Sequence, residues 1–240
     1  SGTINADDVG IRVFNTNSTN AIITNSGNIN ATDVGIFLGS DSHNAVITNS
    51  GNITSTTSDG IYALGDDAII TNSGNITGAD EGIDSRGANA IITNSGTINA
   101  GDDGIVSGGA GSIINNSGII NGGNNGIALY GINTIITNSG TITGNVVGIS
   151  SVGDDAIITN SGTITGGAVG IDSIGDDATI NNSGHITGTT LAGRGGNSDN
   201  LTLNLLKGSQ LMGKIDLGGA EDNDTVNIHG GSVSATLTFV

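Results

Sequence analysis

The sequence has no cysteine, no proline and no tryptophan, and five lysines and arginines against 22 aspartates and glutamates. Without cysteine there is no disulfide scaffold and no thiolate chemistry, although the compartment stays open. Without proline every residue keeps its backbone N–H, which suits strands paired on both sides. A formal charge of −17 repels a phosphate backbone, which excludes nucleic acid as a partner and disfavours an anionic membrane surface. No apolar run approaches the roughly 18 residues of a spanning helix. The aromatic residues are two Tyr and three Phe in 240 residues, too few for an aromatic-centred core.

What is present is glycine, 43 residues, with much Asn, Ser and Thr. That composition suggests disorder. The chain also carries 36 Ile, enough apolar surface to offset the entropy of ordering. Beta-branched residues favour strands.

The organising feature is an internal repeat. Asn-Ser-Gly ends at Gly27, Gly51, Gly74, Gly96, Gly118, Gly140, Gly162 and Gly184, with steps of 24, 23 and then 22 five times. Gly-Ile recurs at Ile11, Ile36, Ile61, Ile83, Ile105, Ile127, Ile149 and Ile171, with steps of 25, 25 and then 22 five times. The extra residues of the early units fall in turns, for example around Thr56-Thr57-Ser58. A period in the low twenties without helical patterning predicts a β-solenoid. Each unit reads as three short strands: one around Ile76, one from Ile83, and one through Ile91-Ile92-Thr93. Alternation places Ala90, Ile92, Asn94, Gly96 and Ile98 inside, and Thr93, Ser95 and Thr97 outside. Stacked coils then make columns of Ile and one column of Asn, from Asn25 to Asn182, whose amides bond along the axis. The glycine of each Asn-Ser-Gly is expected to adopt a backbone geometry closed to other residues. The predicted fold is all-β: a right-handed single-stranded parallel β-helix, three-sided, with a period of about 22 residues.

Regular repeats occupy 1–188. From 189 to 240 Leu replaces Ile, and the period survives, Leu203 to Val226 being 23 and Ile215 to Leu237 being 22. These residues read as degenerate coils of the same β-helix, the alternative being a separate small cap. The chain opens in mid-repeat and stops inside a strand-like run at Val240, so both ends read as truncated.

The repeats, followed by Leu201-Thr202-Leu203-Asn204-Leu205, by 208–219 and by Asp224-Thr225-Val226-Asn227-Ile228, resemble an autotransporter passenger, a type V secreted protein of Gram-negative bacteria. The resemblance covers essentially the whole chain. It implies export through a C-terminal outer-membrane β-barrel translocator, absent from this sequence, and a secreted or cell-surface location. It leaves the activity open, because passengers include adhesins, toxins, proteases and esterases.

Signatures of enzymatic passengers are missing from the sequence. No Gly-Asp-Ser-Gly and no Gly-x-Ser-x-Gly elbow occurs; the near misses at Ser85 and Ser173 have a spacing one residue too long. His43, His185 and His229 lie in different coils and read as solvated surface. Acidic residues recur in the turns. One column runs Asp8, Asp33, Asp80 and Asp102, with Asp59, Glu81 and Asp103 beside it. Another places Asp154-Asp155 under Asp176-Asp177, and like charges about 5 Å apart raise a carboxyl pKa or recruit a cation such as calcium. The same separation suits a retaining glycosidase, which makes a polysaccharide-active β-helix enzyme the enzymatic alternative. Against it stand the lack of nearby aromatic sugar platforms and the reading of these residues as solvated turns. The run 218–224 is similar to an RTX calcium nonapeptide, with Glu221 where that motif has Gly, and reads as a turn. Ranks of Thr resemble ice-binding solenoids, but Ser, Asn and a bend at Asn-Ser-Gly interrupt them.

The expected function is therefore non-enzymatic: an adhesin or secreted virulence factor binding a host or cell-surface protein or glycan, the remaining alternative being a purely structural stalk. The partner-binding candidates are Phe14, Phe37, Tyr62 and Tyr130, which all follow a Gly-Ile marker at odd offsets, with Arg12 and Arg86. No catalytic, cofactor or metal residue is assigned.

Overall fold

The computed structural model describes residues 2–14, 19–191, 200–216, 223–230 and 234–238. Glu221, with the rest of 217–222, and Val240 lie outside them. Among the described residues there is no helix, and 29 short strands pair only in parallel to form a right-handed β-solenoid of about nine coils.

Each coil contributes one strand to each of three faces. In the fourth coil these are Asn75–Gly78 on the first face, Ile83–Ser85 on the second, and Ile69–Asn72 on the third. The first two faces join round a corner into one 19-stranded sheet; the third is a separate 10-stranded sheet. The register is the repeat itself. Ile76 pairs with Ile53 and Ile98, Ile83 with Ile61 and Ile105, and Ile92 with Ile70 and Ile114. Those nine Ile side chains are buried completely or nearly so, each worth roughly 1.5–3 kcal/mol of apolar transfer. Beyond the regular repeats, Leu203 stacks on Ile180 and Leu211 on Ile186.

The Asn column is an unbroken buried ladder. Each Nδ2 donates to the Oδ1 of the next coil at 2.8–2.9 Å, from Asn25 through to Asn182. The same Nδ2 also donates to the carbonyl of the Gly two residues on, as from Asn72 to Gly74 at 3.1 Å, and so fixes the bend. The ladder stops where Leu205 pairs with Asn182.

The glycine expectation is corrected. None of the eight Asn-Ser-Gly glycines has a positive φ. They are small because the coils nearly touch there: a Cβ on Gly118 would lie 2.1 Å from the Gly96 carbonyl oxygen. The left-handed backbone is elsewhere, in the turn entering the third face. Asn20, Asn44, Asp67, Asn89, Gly111, Asn133, Asp155, Asp177 and Asn200 all have φ between 53° and 71°. Asn, Asp and Gly tolerate that region best, which is why these residue types recur there.

Candidate interaction face and acidic corner

The second face presents two outward rows, because strand residues alternate in direction. In one row Arg12 pairs with Phe37, Phe37 with Tyr62, Tyr62 with Asp84, and Asp84 with Val106. The other row, two residues on, is set by backbone bonds from Gly39 to Val13, Arg86 to Ala63, Gly108 to Ser85 and Tyr130 to Ser107. Gly39 leaves room for the Phe14 ring, whose Cδ2 would be 3.0 Å from a Cβ there.

These rows bring the sequence-derived candidates together. The rings of Phe14 and Phe37 are 6.2 Å apart and tilted by 42°; Phe37 and Tyr62 meet edge to face at 5.6 Å. The Arg12 guanidinium lies over Phe37 at 5.5 Å and that of Arg86 over Tyr62 at 5.7 Å. Arg86 grips Asp84 with Nε and Nη2, each 2.8 Å from Oδ2. Asp84 is buried at 2% exposure, and burial pushes its carboxyl pKa up although the guanidinium pulls it down. Arg12 stays within 3.7 Å of Asp8. The result is a continuous stack of cation and ring along four coils. Tyr130 is not part of that stack. It stands across a shallow cleft from Arg86, over Val106 and Gly108, with its ring largely exposed.

The acidic turn before the second face is more ordered than solvated turns would be. Asp59 and Asp103 are buried, and each uses a carboxylate oxygen to accept the N–H of the residue one coil on, Glu81 and Asn125. Burial and the neighbouring Asp59 push Glu81 up to about 9, and burial raises Asp59 as well. The pair thus holds a proton that isolated carboxyls would release. Oxygens of Asp59, Asp80 and Glu81 all lie within 4.8 Å of one another, the only such trio among the described residues. The cation site considered at Asp154, Asp155, Asp176 and Asp177 does not gather that way. Asp155 and Asp177 hold the left-handed turn, and Asp154 accepts the N–H of Asp176 at 3.0 Å.

Ser85 and Ser173 point into the bore and are buried, out of reach of a substrate. His43 accepts the Asp66 N–H at 3.2 Å, and His185 is outward, in register with Thr163. Two features escaped the sequence reading. One is the left-handed turn column, visible as Asn, Asp or Gly at a fixed offset before each Ile-Ile pair. The other is the apolar exterior of the third face. No family model, no curated protein and no solved structure matches the chain.

Proposed function

We propose that the chain is a segment of a secreted or surface-displayed passenger of the type V kind, and that it works by binding a host or cell-surface partner. It is a non-enzymatic rod. Paired coils supply stiffness and the second face supplies the contact. One observation carries this: Arg12 and Phe14, Phe37, Tyr62 and Arg86, from four separate places in the sequence, form one solvent-accessible stack in which Phe37 and Tyr62 are half-buried. Aromatic and arginine anchors dominate protein interfaces. A protein partner fits better than a glycan, because the guanidinium groups already lie over the rings that a sugar would stack on. The burial of Ser85 and Ser173 argues against either as a hydrolytic nucleophile.

The test is saturable binding of the labelled rod to host cells. Phe37→Ala with Tyr62→Ala should weaken it at least tenfold while the far-UV circular dichroism is unchanged. Unchanged affinity in that variant removes the second face from the interaction. A wild-type rod that binds nothing leaves it a stalk.

A further inference from the structure

The third face is an array of ten strands whose register runs without a bulge from Ile22–Asn25 to Thr225–Ile228. None of those ten strands carries a charged residue, in a chain of formal charge −17. Its outward positions form two rows. One is apolar: Ile22, Val46, Ile69, Ile91, Ile113, Ile135 and Ile157 in seven successive coils. The other is Thr or Asn, from Thr24 to Asn181. The apolar row is solvent-facing: Ile22 is 77% exposed and Ile157 42%. A core has no use for it, since the inward Ile of each strand already fills the bore. An apolar strip of this length marks an interaction surface.

We infer that this face is the interface of a homodimer, in which two rods pack third face to third face. Three features identify a second copy as the occupant. First, the face offers no charge, so its partner must bring a neutral surface, and the third face of another copy is one. Second, the Ile side chains recur at the coil repeat, about 4.8 Å, and a match kept over seven coils demands a partner with the same repeat. Third, the area suffices. Ten strands of four residues span roughly 43 Å by 13 Å, so a pair buries about 1,100 Å², just above the minimum of about 1,000 Å² for a specific interface.

The rims fix the orientation. The turn entering the third face is acidic, with Asp66, Asp67, Asp154, Asp155, Asp176 and Asp177. The turn leaving it is Ser-Gly throughout, from Ser26-Gly27 to Ser183-Gly184. A two-fold axis running along the rod keeps the rods parallel and sets each acidic rim against the partner's neutral rim. A two-fold axis across the rod makes them antiparallel and sets acid on acid. The dimer is therefore parallel and isologous. It leaves both second faces free, whatever they bind, so one dimer displays two copies of the Phe14–Phe37–Tyr62 stack and gains avidity.

Sedimentation velocity of the intact chain tests this, from micromolar to near-millimolar protein. Salt of about 0.5 M, where the Debye length is under about 5 Å, removes the repulsion between acidic rods. The wild type should shift to twice the monomer mass as concentration rises. Ile91→Lys with Ile135→Lys should stay monomeric, and Thr77→Lys with Thr143→Lys, on the first face, should still dimerise. Should the lysine variant lose its far-UV signal, Ile91→Thr with Ile135→Thr replaces it, since Thr179 already occupies that row; its dissociation constant should rise at least tenfold. A wild type that is monomeric throughout, or third-face variants that dimerise normally, overturns the proposal. The chain has no native cysteine, so a spin label on Thr24→Cys, in the first coil of the apolar row, reports orientation at about 0.1 M salt, where the acidic rims still repel. Two labels within about 20 Å mean parallel rods, and any larger separation overturns that arrangement, because antiparallel overlap of the seven apolar coils puts them about 29 Å apart or more.

Discussion

Replacing Asn116 by Ala should cost about 3–5 kcal/mol. Asn116 sits in the middle of the buried ladder. It accepts from Asn94 Nδ2 at 2.9 Å and donates to Asn138 Oδ1 at 2.8 Å, with further bonds to the Gly118 and Thr141 carbonyls at 3.2 Å. Removing it deletes two ladder bonds worth roughly 1 kcal/mol each. It also orphans the Asn138 Oδ1, a fully buried acceptor, for about 1–3 kcal/mol more. Asn94 suffers less, because its Nδ2 still reaches the carbonyls of Gly96 and Ile119 at 3.2 Å. The control is Asn182→Ala at the end of the ladder. No acceptor lies beyond Asn182, where Leu205 takes over, so nothing is orphaned and the loss should be smaller by about 1–3 kcal/mol. Urea unfolding followed by far-UV circular dichroism and by tyrosine fluorescence reads both, with coincident curves required before a free energy is assigned. Equal losses at the two positions, or a mid-ladder loss under about 1 kcal/mol, would refute a ladder whose links depend on one another.

Three further outcomes follow from the coil geometry. Gly118→Ala should unfold or severely destabilise the rod, because the added methyl meets the Gly96 carbonyl oxygen at 2.1 Å; a melting temperature within a few degrees of wild type would contradict the close approach of the coils. Ser107→Ala should leave stability unchanged or raise it by up to about 1 kcal/mol, since the Ser107 hydroxyl is buried without a partner and Ala63 serves in the same inward row; a loss beyond about 1 kcal/mol would reveal a bond to that hydroxyl. Stability should fall as pH rises from about 4.5 to about 9, because the folded state keeps a proton on Glu81 that the unfolded chain releases, and it should level off above that window. Glu81→Gln should flatten that slope in a series of melting curves; an unaltered slope would mean that the proton is held elsewhere.

The sequence by itself determined the coil. Asn-Ser-Gly and Gly-Ile at a step of 22 fix the period, the three strands per turn, the Ile-filled bore and the Asn ladder, because a parallel stack repeats identical side chains one above another. It also placed the aromatic residues on one side, since odd offsets from an inward Ile point outward. Tertiary structure decided which of them touch. Phe14, Phe37 and Tyr62 fall in adjacent coils and form a stack with Arg12 and Arg86, whereas Tyr130 is held apart by Gly108. It also decided the role of residues that the sequence shows only as types. Glycine at Asn-Ser-Gly answers to a carbonyl one coil away, not to its own φ. Asp155 and Asp177 stand where the backbone turns left-handed. The Asp59–Glu81 pair becomes proton-binding only when two turns bury it together. For the glycines and the Asp59–Glu81 pair the deciding contact joins residues some 22 positions apart, so the period announces the neighbour while distance and burial alone reveal what the neighbour does.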